Sequence, residues 1–190
     1  MTQCSDEELA KLIATVQNDP ANQLAYVDQA AALYPEDARV HFLRASLLAG
    51  SQRPIEAHAA FTRAVALAPD FALARFQLGF FELTSGEAAR ALASWQPLDA
   101  QLPEAHHLRQ FVRGLRHLIA DEFAACVTAL EAGIAANDDN PPLNRDMGLI
   151  IEQCRQLIGR QEAAAAPAAE EEASATSFLL GQLGGRGLIH

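Results

Sequence analysis

Residues 38–70, ARVHFLRASLLAGSQRPIEAHAAFTRAVALAPD, and residues 72–104, ALARFQLGFFELTSGEAARALASWQPLDAQLPE, are two copies of one pattern that decides the fold. Proline recurs at Pro35, Pro69 and Pro103, with a constant spacing of 34 residues. This period is typical of arrays of helical hairpins. The segment therefore predicts consecutive pairs of antiparallel helices.

Side-chain size follows the same period. One position of the first helix is small in both copies, and the second helix has one small and one large position. These pairs are Ala45 and Gly79, Ala57 and Ala91, and Phe61 and Trp95. Small residues let two helices approach closely, and a large residue fills the space between neighbouring hairpins.

The two segments resemble the tetratricopeptide repeat family, whose members stack helical hairpins into a right-handed solenoid and bind peptides on its concave surface. The resemblance implies an all-α solenoid of about four hairpins, at residues 4–37, 38–71, 72–105 and 106–140, followed by a capping helix at 142–158. The fourth unit is divergent: its second part, in the stretch EFAACVTALEAGIAANDDNPP at 122–142, repeats the second-helix pattern with about one inserted residue.

Some positions depart from the family pattern. First-helix position 4, usually aromatic, is His41 and Arg75, and position 11, usually Tyr, is Leu48 and Glu82. Pro97 lies inside the predicted second helix of the third unit, where it is expected to kink or shorten the last turns.

The ends of the array have their own signals. Ser5 and Glu8 form the pattern of a capping box that begins a helix ending near Asn18. A second helix is expected over 22–34. The final helix is expected to stop at Gly159.

Residues 160–177 are rich in Ala and Glu and predict a flexible linker. The apolar, glycine-rich segment 178–190 is interpreted either as a docking segment or as a frayed tail.

Composition narrows the class of protein. The chain has 190 residues, with 24 acidic and 14 basic side chains and a formal net charge of -10. Such an acidic chain is not expected to bind nucleic acid, because its negative charge repels the phosphate backbone.

No apolar stretch is long enough to predict a membrane span, and no secretory signal is recognised. An odd, widely spaced set of three cysteines favours buried thiols in a reducing compartment. We expect a cytoplasmic, bacterial-looking protein.

No constellation of residues predicts catalysis, a cofactor or a metal site. His106 and His107 are adjacent, so their side chains point to different faces of a helix. Cys126 occupies the second-helix position at which the other units have a small residue, and this position is expected to be buried. We therefore predict that Cys126 is a thiol in the core. Asp138 and Asp139 lie in a sequence that ends a helix. We therefore expect a protein that is not an enzyme and uses no cofactor.

The resemblance also implies which residues line a peptide groove. In the second and third units these are Arg39, Phe42 and Ser46, and then Leu73, Phe76, Phe80 and Leu83. In the fourth unit, a packed face formed by Leu108, Phe111, Val112 and Leu115 leaves Arg109, Arg113 and Arg116 for the groove. The alternatives are that the apolar stripe only packs the hairpins, and that the arginines are solvated or pair with Asp121 and Glu122.

These features favour a non-catalytic adaptor or assembly factor that binds a peptide segment of a protein partner. The alternatives are a secretion or assembly chaperone that holds an apolar client segment and a regulatory subunit of an enzyme. A peptide that has apolar anchor residues and an acidic or carboxylate end would suit the predicted groove. The chain carries such a segment itself, with three glutamates at 170–172 and Phe178, so its own C-terminal tail is a candidate ligand.

Overall fold

The computed structural model describes residues 3–164, which form α-helices and no β-strand within that range. The predicted all-α class is confirmed for this part of the chain. The helices are α1 (Asp6–Asn18), α2 (Gln23–Leu33), α3 (Ala38–Gly50), α4 (Pro54–Leu67), α5 (Ala72–Thr84), α6 (Ala88–Trp95), α7 (Leu98–Gln101), α8 (His107–Ile119), α9 (Phe123–Ala135) and α10 (Pro141–Ala164).

The chain divides into two compact units at a point within α5, after Leu78. In the first unit, α1 packs against α2, α2 against α3 and α3 against α4. In the second unit, α6 contacts α8, α8 packs against α9 and α9 against α10. Helices that are consecutive in the sequence therefore supply most of the packing in each unit.

Three turns between paired helices share one backbone geometry. Gln52, Gly86 and Asp121 have φ values of 58°, 83° and 57°, in the left-handed region. In each turn the following residue donates a backbone hydrogen bond to the carbonyl five residues earlier: Arg53 to Leu48 at 3.0 Å, Glu87 to Glu82 at 2.8 Å and Glu122 to His117 at 2.9 Å. This geometry ends a helix and satisfies one of its last carbonyl groups. The spacing is 34 and then 35 residues, which locates the predicted inserted residue before Asp121.

A polar side chain takes the same place at the start of three helices. His41 Nε2 lies 2.9 Å from the Pro35 carbonyl oxygen, Arg75 Nη2 donates to Pro69 O at 3.0 Å, and Gln110 Nε2 donates to Glu104 O at 2.7 Å. Each bond spans six residues and ties the connecting turn to the helix that follows it. The polar residues at this position are therefore a repeated structural feature of this chain.

Glycine allows close helix contact at two equivalent places. A methyl group on Gly79 would lie 2.6 Å from Cδ1 of Trp95, and one on Gly114 would lie 2.5 Å from Cδ2 of Leu130. Both large side chains are fully buried and follow their glycine by sixteen residues. Ala45 and Phe61, also fully buried, have the same spacing on α3 and α4. The predicted small and large positions are thus confirmed as buried, with Gly114 as a further member.

The predicted ends of several helices are also confirmed. The side chain of Ser5 accepts a hydrogen bond from the Glu8 amide, and Glu8 accepts one from the Ser5 amide, so the capping box is present. Pro97 lies in a break of the second helix of the third unit, as predicted. The helix α6 ends at Trp95, and the short helix α7 continues from Leu98. A proline removes a backbone donor, which accounts for the break.

The predicted end of the last helix at Gly159 is wrong. The helix α10 passes through Gly159 and ends at Ala164. Glycine inside a helix costs only about 1 kcal/mol relative to alanine, and the residues after it, RQEAA, are mostly good helix formers. The first five residues of the predicted linker therefore belong to α10. The rest of that linker and the segment 178–190 lie outside the described residues.

We expect Gly79→Ala and Gly114→Ala each to lower the free energy of unfolding by about 1–2 kcal/mol. Overpacking a tight core costs about 1–3 kcal/mol, which the gain in helix propensity offsets only in part. Gly148→Ala is the matched control, because it lies within α10 and a methyl group there would meet no atom within 4 Å. Chemical denaturation of the three variants measures the difference. Equal stability in all three would contradict the close contacts.

Candidate peptide-binding surface

Arg39 holds the start of the chain to the start of α3. It forms an ion pair of 2.8 Å with Asp37, contacts Asp6 at 2.6 Å and donates to the Cys4 carbonyl oxygen. The Cys4 amide donates to Asp37 at 3.0 Å. Asp37 is only 2 % exposed, and its bonds with Arg39 hold the pKa of that carboxyl below its usual range. Arg39 thus has an intramolecular role that the groove prediction did not include.

Phe42 and Ser46 lie on α3 and are both half-buried. The Phe42 ring is 5.2 Å from the ring of Phe71 and 6.0 Å from that of Phe61, measured between centroids. The Ser46 hydroxyl donates to the Phe42 carbonyl oxygen at 3.1 Å. Both side chains keep part of their surface open, so a ligand contact at this point stays a prediction.

The predicted apolar stripe of α5 is mostly inside the protein. Phe76, Phe80 and Leu83 are at most 1 % exposed, and Leu73 is half-buried. In this conformation the three buried side chains offer no free surface to a ligand. Their burial agrees with the alternative that the stripe packs the helices.

The register of α8 shows that its arginines do not lie on the face that corresponds to the apolar stripe of α5. Gly114 faces Leu130 as Gly79 faces Trp95, so the α8 residues equivalent to the apolar stripe of α5 are Leu108, Phe111, Leu115 and Leu118. All four are buried. The predicted packed face of α8, with Val112, is thereby confirmed. Arg109, Arg113 and Arg116 lie on another face, so the two predicted stripes are not equivalent.

Asp99 on α7 binds two of these arginines. Arg116 donates to its carboxylate through both terminal nitrogens, at 3.0 and 2.9 Å, and Arg109 Nε lies 3.9 Å from it. Arg109 also donates to the Leu102 carbonyl oxygen at 3.0 Å. Sequence reasoning missed Asp99 because it lies in a different helix, seventeen residues before Arg116. A bidentate arginine and carboxylate pair fixes the orientation of the guanidinium.

Arg113 is the exposed member of the three, and no ion pair to it is found among residues 3–164. It lies between the two fixed arginines on the surface of α8. Glu122, which sequence reasoning offered as an arginine partner, lies 2.5 Å from His117 Nδ1 instead. Three arginines and one carboxylate leave a local excess of positive charge on an otherwise acidic chain. We call Arg109, Arg113, Arg116 and Asp99 the arginine face.

The remaining polar clusters show no metal centre. His106 and His107 stack with ring centroids 4.4 Å apart, and burial lowers the pKa of His107. Within residues 3–164, no three side chains of His, Cys, Asp or Glu are arranged to hold a metal ion. No helix in the described range combines the length and the apolar character needed to cross a membrane.

The chain matches no known family model, and no curated protein is significantly similar to it.

Asp146 is a buried carboxyl on α10. It is 4 % exposed on the face of the helix that also buries Leu143, Met147 and Ile150. Burial raises the pKa of Asp146 to about 6, well above the usual range of an aspartate, and the neighbouring Arg145 offsets this only in part. Ionising this group in the folded chain is therefore unfavourable.

Asp146→Asn should stabilise the protein more at pH 7.5 than at pH 5. The folded pKa lies above the unfolded one, so the wild-type chain loses stability as the pH rises through about 6. Since one pKa unit corresponds to about 1.4 kcal/mol, the gain at pH 7.5 should exceed the gain at pH 5 by roughly 1 kcal/mol. Denaturant melts at both pH values measure it. If Asp146→Asn stabilises the protein equally at both pH values, the pKa of Asp146 is not raised in the folded chain.

Proposed function

We propose that this chain is a tetratricopeptide-like repeat protein, with its hairpins stacked as a solenoid, that binds an acidic or carboxylate-ended peptide segment of a protein partner without catalysing a reaction. The observation that carries the proposal is the repetition of one hairpin geometry. The same left-handed turn recurs at Gln52, Gly86 and Asp121, at spacings of 34 and 35 residues. Repeating hairpins of this length build extended binding surfaces.

The arginine face supports the choice of ligand. Asp99 and the Leu102 carbonyl hold Arg116 and Arg109 in fixed orientations, while Arg113 stays exposed between them. A guanidinium that is already oriented loses less entropy when it binds a carboxylate. Because the rest of the chain is acidic, an acidic ligand would be attracted to this patch and repelled elsewhere.

The peptide of residues 168–190 is the first ligand to test, because it joins acidic residues to an apolar end. Labelled peptide should bind the full chain in fluorescence anisotropy, with an affinity that falls as salt is raised. A chain shortened after residue 164 keeps every described helix and should bind the peptide more tightly, because its own tail no longer competes. A peptide with glutamine in place of its glutamates is the control ligand.

Arg113→Glu should abolish this binding without changing the melting temperature, because the side chain is exposed. Arg90→Glu is the matched control. Arg90 is also exposed, at 63 %, but lies on α6, the second helix of its hairpin. If both variants bind as the wild type does, the arginine face is not the binding surface. If no acidic peptide binds at millimolar concentration, the proposed ligand class is wrong.

A further inference from the structure

Two of the three cysteines touch each other between α9 and α10. Cys126 and Cys154 are both fully buried, and their sulfur atoms are 3.7 Å apart. Burial confirms the prediction of Cys126 as a core thiol. The pairing was not predicted, since the two residues are 28 positions apart and have no recognised spacing. Because a disulfide has a sulfur to sulfur distance of about 2.05 Å, about 1.6 Å of approach would join them.

An open depression lies over the same pair of helices. It has a volume of about 660 Å³, and its lining includes Phe123 and Ala125 of α9 and Ile158 of α10. Phe123 precedes Cys126 by three residues, and Ile158 follows Cys154 by four. Residues at these spacings share one face of a helix. Two residues that line the depression are therefore about one helical turn along their helices from the two cysteines, which are themselves buried beneath it.

The contact between the sulfurs changes the acidity of the two thiols in opposite directions. The hydrogen bond they share raises the pKa of Cys126 and lowers that of Cys154, because the remaining proton is held between the two sulfurs once the first has left, while burial raises the pKa of both thiols. The thiolate is the form that attacks an oxidant.

We propose that Cys126 and Cys154 form an oxidation site, at which hydrogen peroxide entering through the depression converts the two thiols into a disulfide between α9 and α10. The Cys154 thiolate attacks one peroxide oxygen. The oxygen to oxygen bond breaks, hydroxide leaves and takes up a proton to become water, and a sulfenic acid remains on Cys154. Cys126 then attacks that sulfur. The disulfide forms as the sulfenic oxygen leaves with the Cys126 proton as a second water.

The oxidation of the two thiols needs no reagent besides hydrogen peroxide. Two thiols lose two electrons and two protons, and one peroxide is reduced to two waters. The product ties the last described helix to α9 and closes a loop between residues 126 and 154. Such a link restricts the unfolded chain and stabilises the folded one.

The test uses the full chain under native conditions. After mild treatment with hydrogen peroxide, the intact mass should fall by about 2 Da, the mass of two hydrogens. Peptide mapping should find Cys126 joined to Cys154, and the melting temperature should rise by several degrees and return after reduction. Cys4→Ser should react as the wild type does, whereas Cys154→Ala should not lose this mass.

Access is tested separately with Ala125→Phe, which fills the depression without replacing either cysteine. This variant should oxidise several-fold more slowly than the wild type. Oxidation at the wild-type rate would overturn the proposed route. An unchanged mass, a gain of oxygen without a disulfide, or a disulfide that involves Cys4 would overturn the site itself.

Discussion

The close approach of paired helices at Gly79 and Gly114 is the constraint on which the rest of the structure depends. At Gly79 and Gly114 the space that a methyl group would need is taken by the side chains of Trp95 and Leu130. The first helix can lie this near to the second only because these positions carry no side chain. The turns that join these paired helices pass through the left-handed residues Gly86 and Asp121.

Much of the helix arrangement was predictable from the sequence because its signals are local. The capping box at Ser5 and the break at Pro97 depend on a few neighbouring residues, and the structure agrees with both. Gly114 was missed because one inserted residue moves it out of the period. His41 was read as a departure from the family, but its ring reaches the Pro35 carbonyl oxygen. That contact depends on the folded turn.

The candidate site was less predictable because burial and ion pairing depend on residues far apart in the chain. Sequence spacing placed Phe76 and Phe80 on one face of a helix, but it could not tell whether that face was covered; both are buried. Spacing also grouped the arginines of α8 without showing that Asp99 binds Arg116. The pairing of Cys126 with Cys154 is of the same kind, since it needs the packing of α9 against α10.

The most direct measurement of the close approach is a double-mutant cycle between Gly79→Ala and Trp95→Leu. If the alanine methyl group collides with the Trp95 ring, a smaller side chain at 95 should relieve the collision. The double variant should then be more stable than the sum of the two single effects predicts, by about 1 kcal/mol, as is typical of residues in contact. Additive effects, within about 0.3 kcal/mol, would mean that the two positions do not touch and would contradict the account.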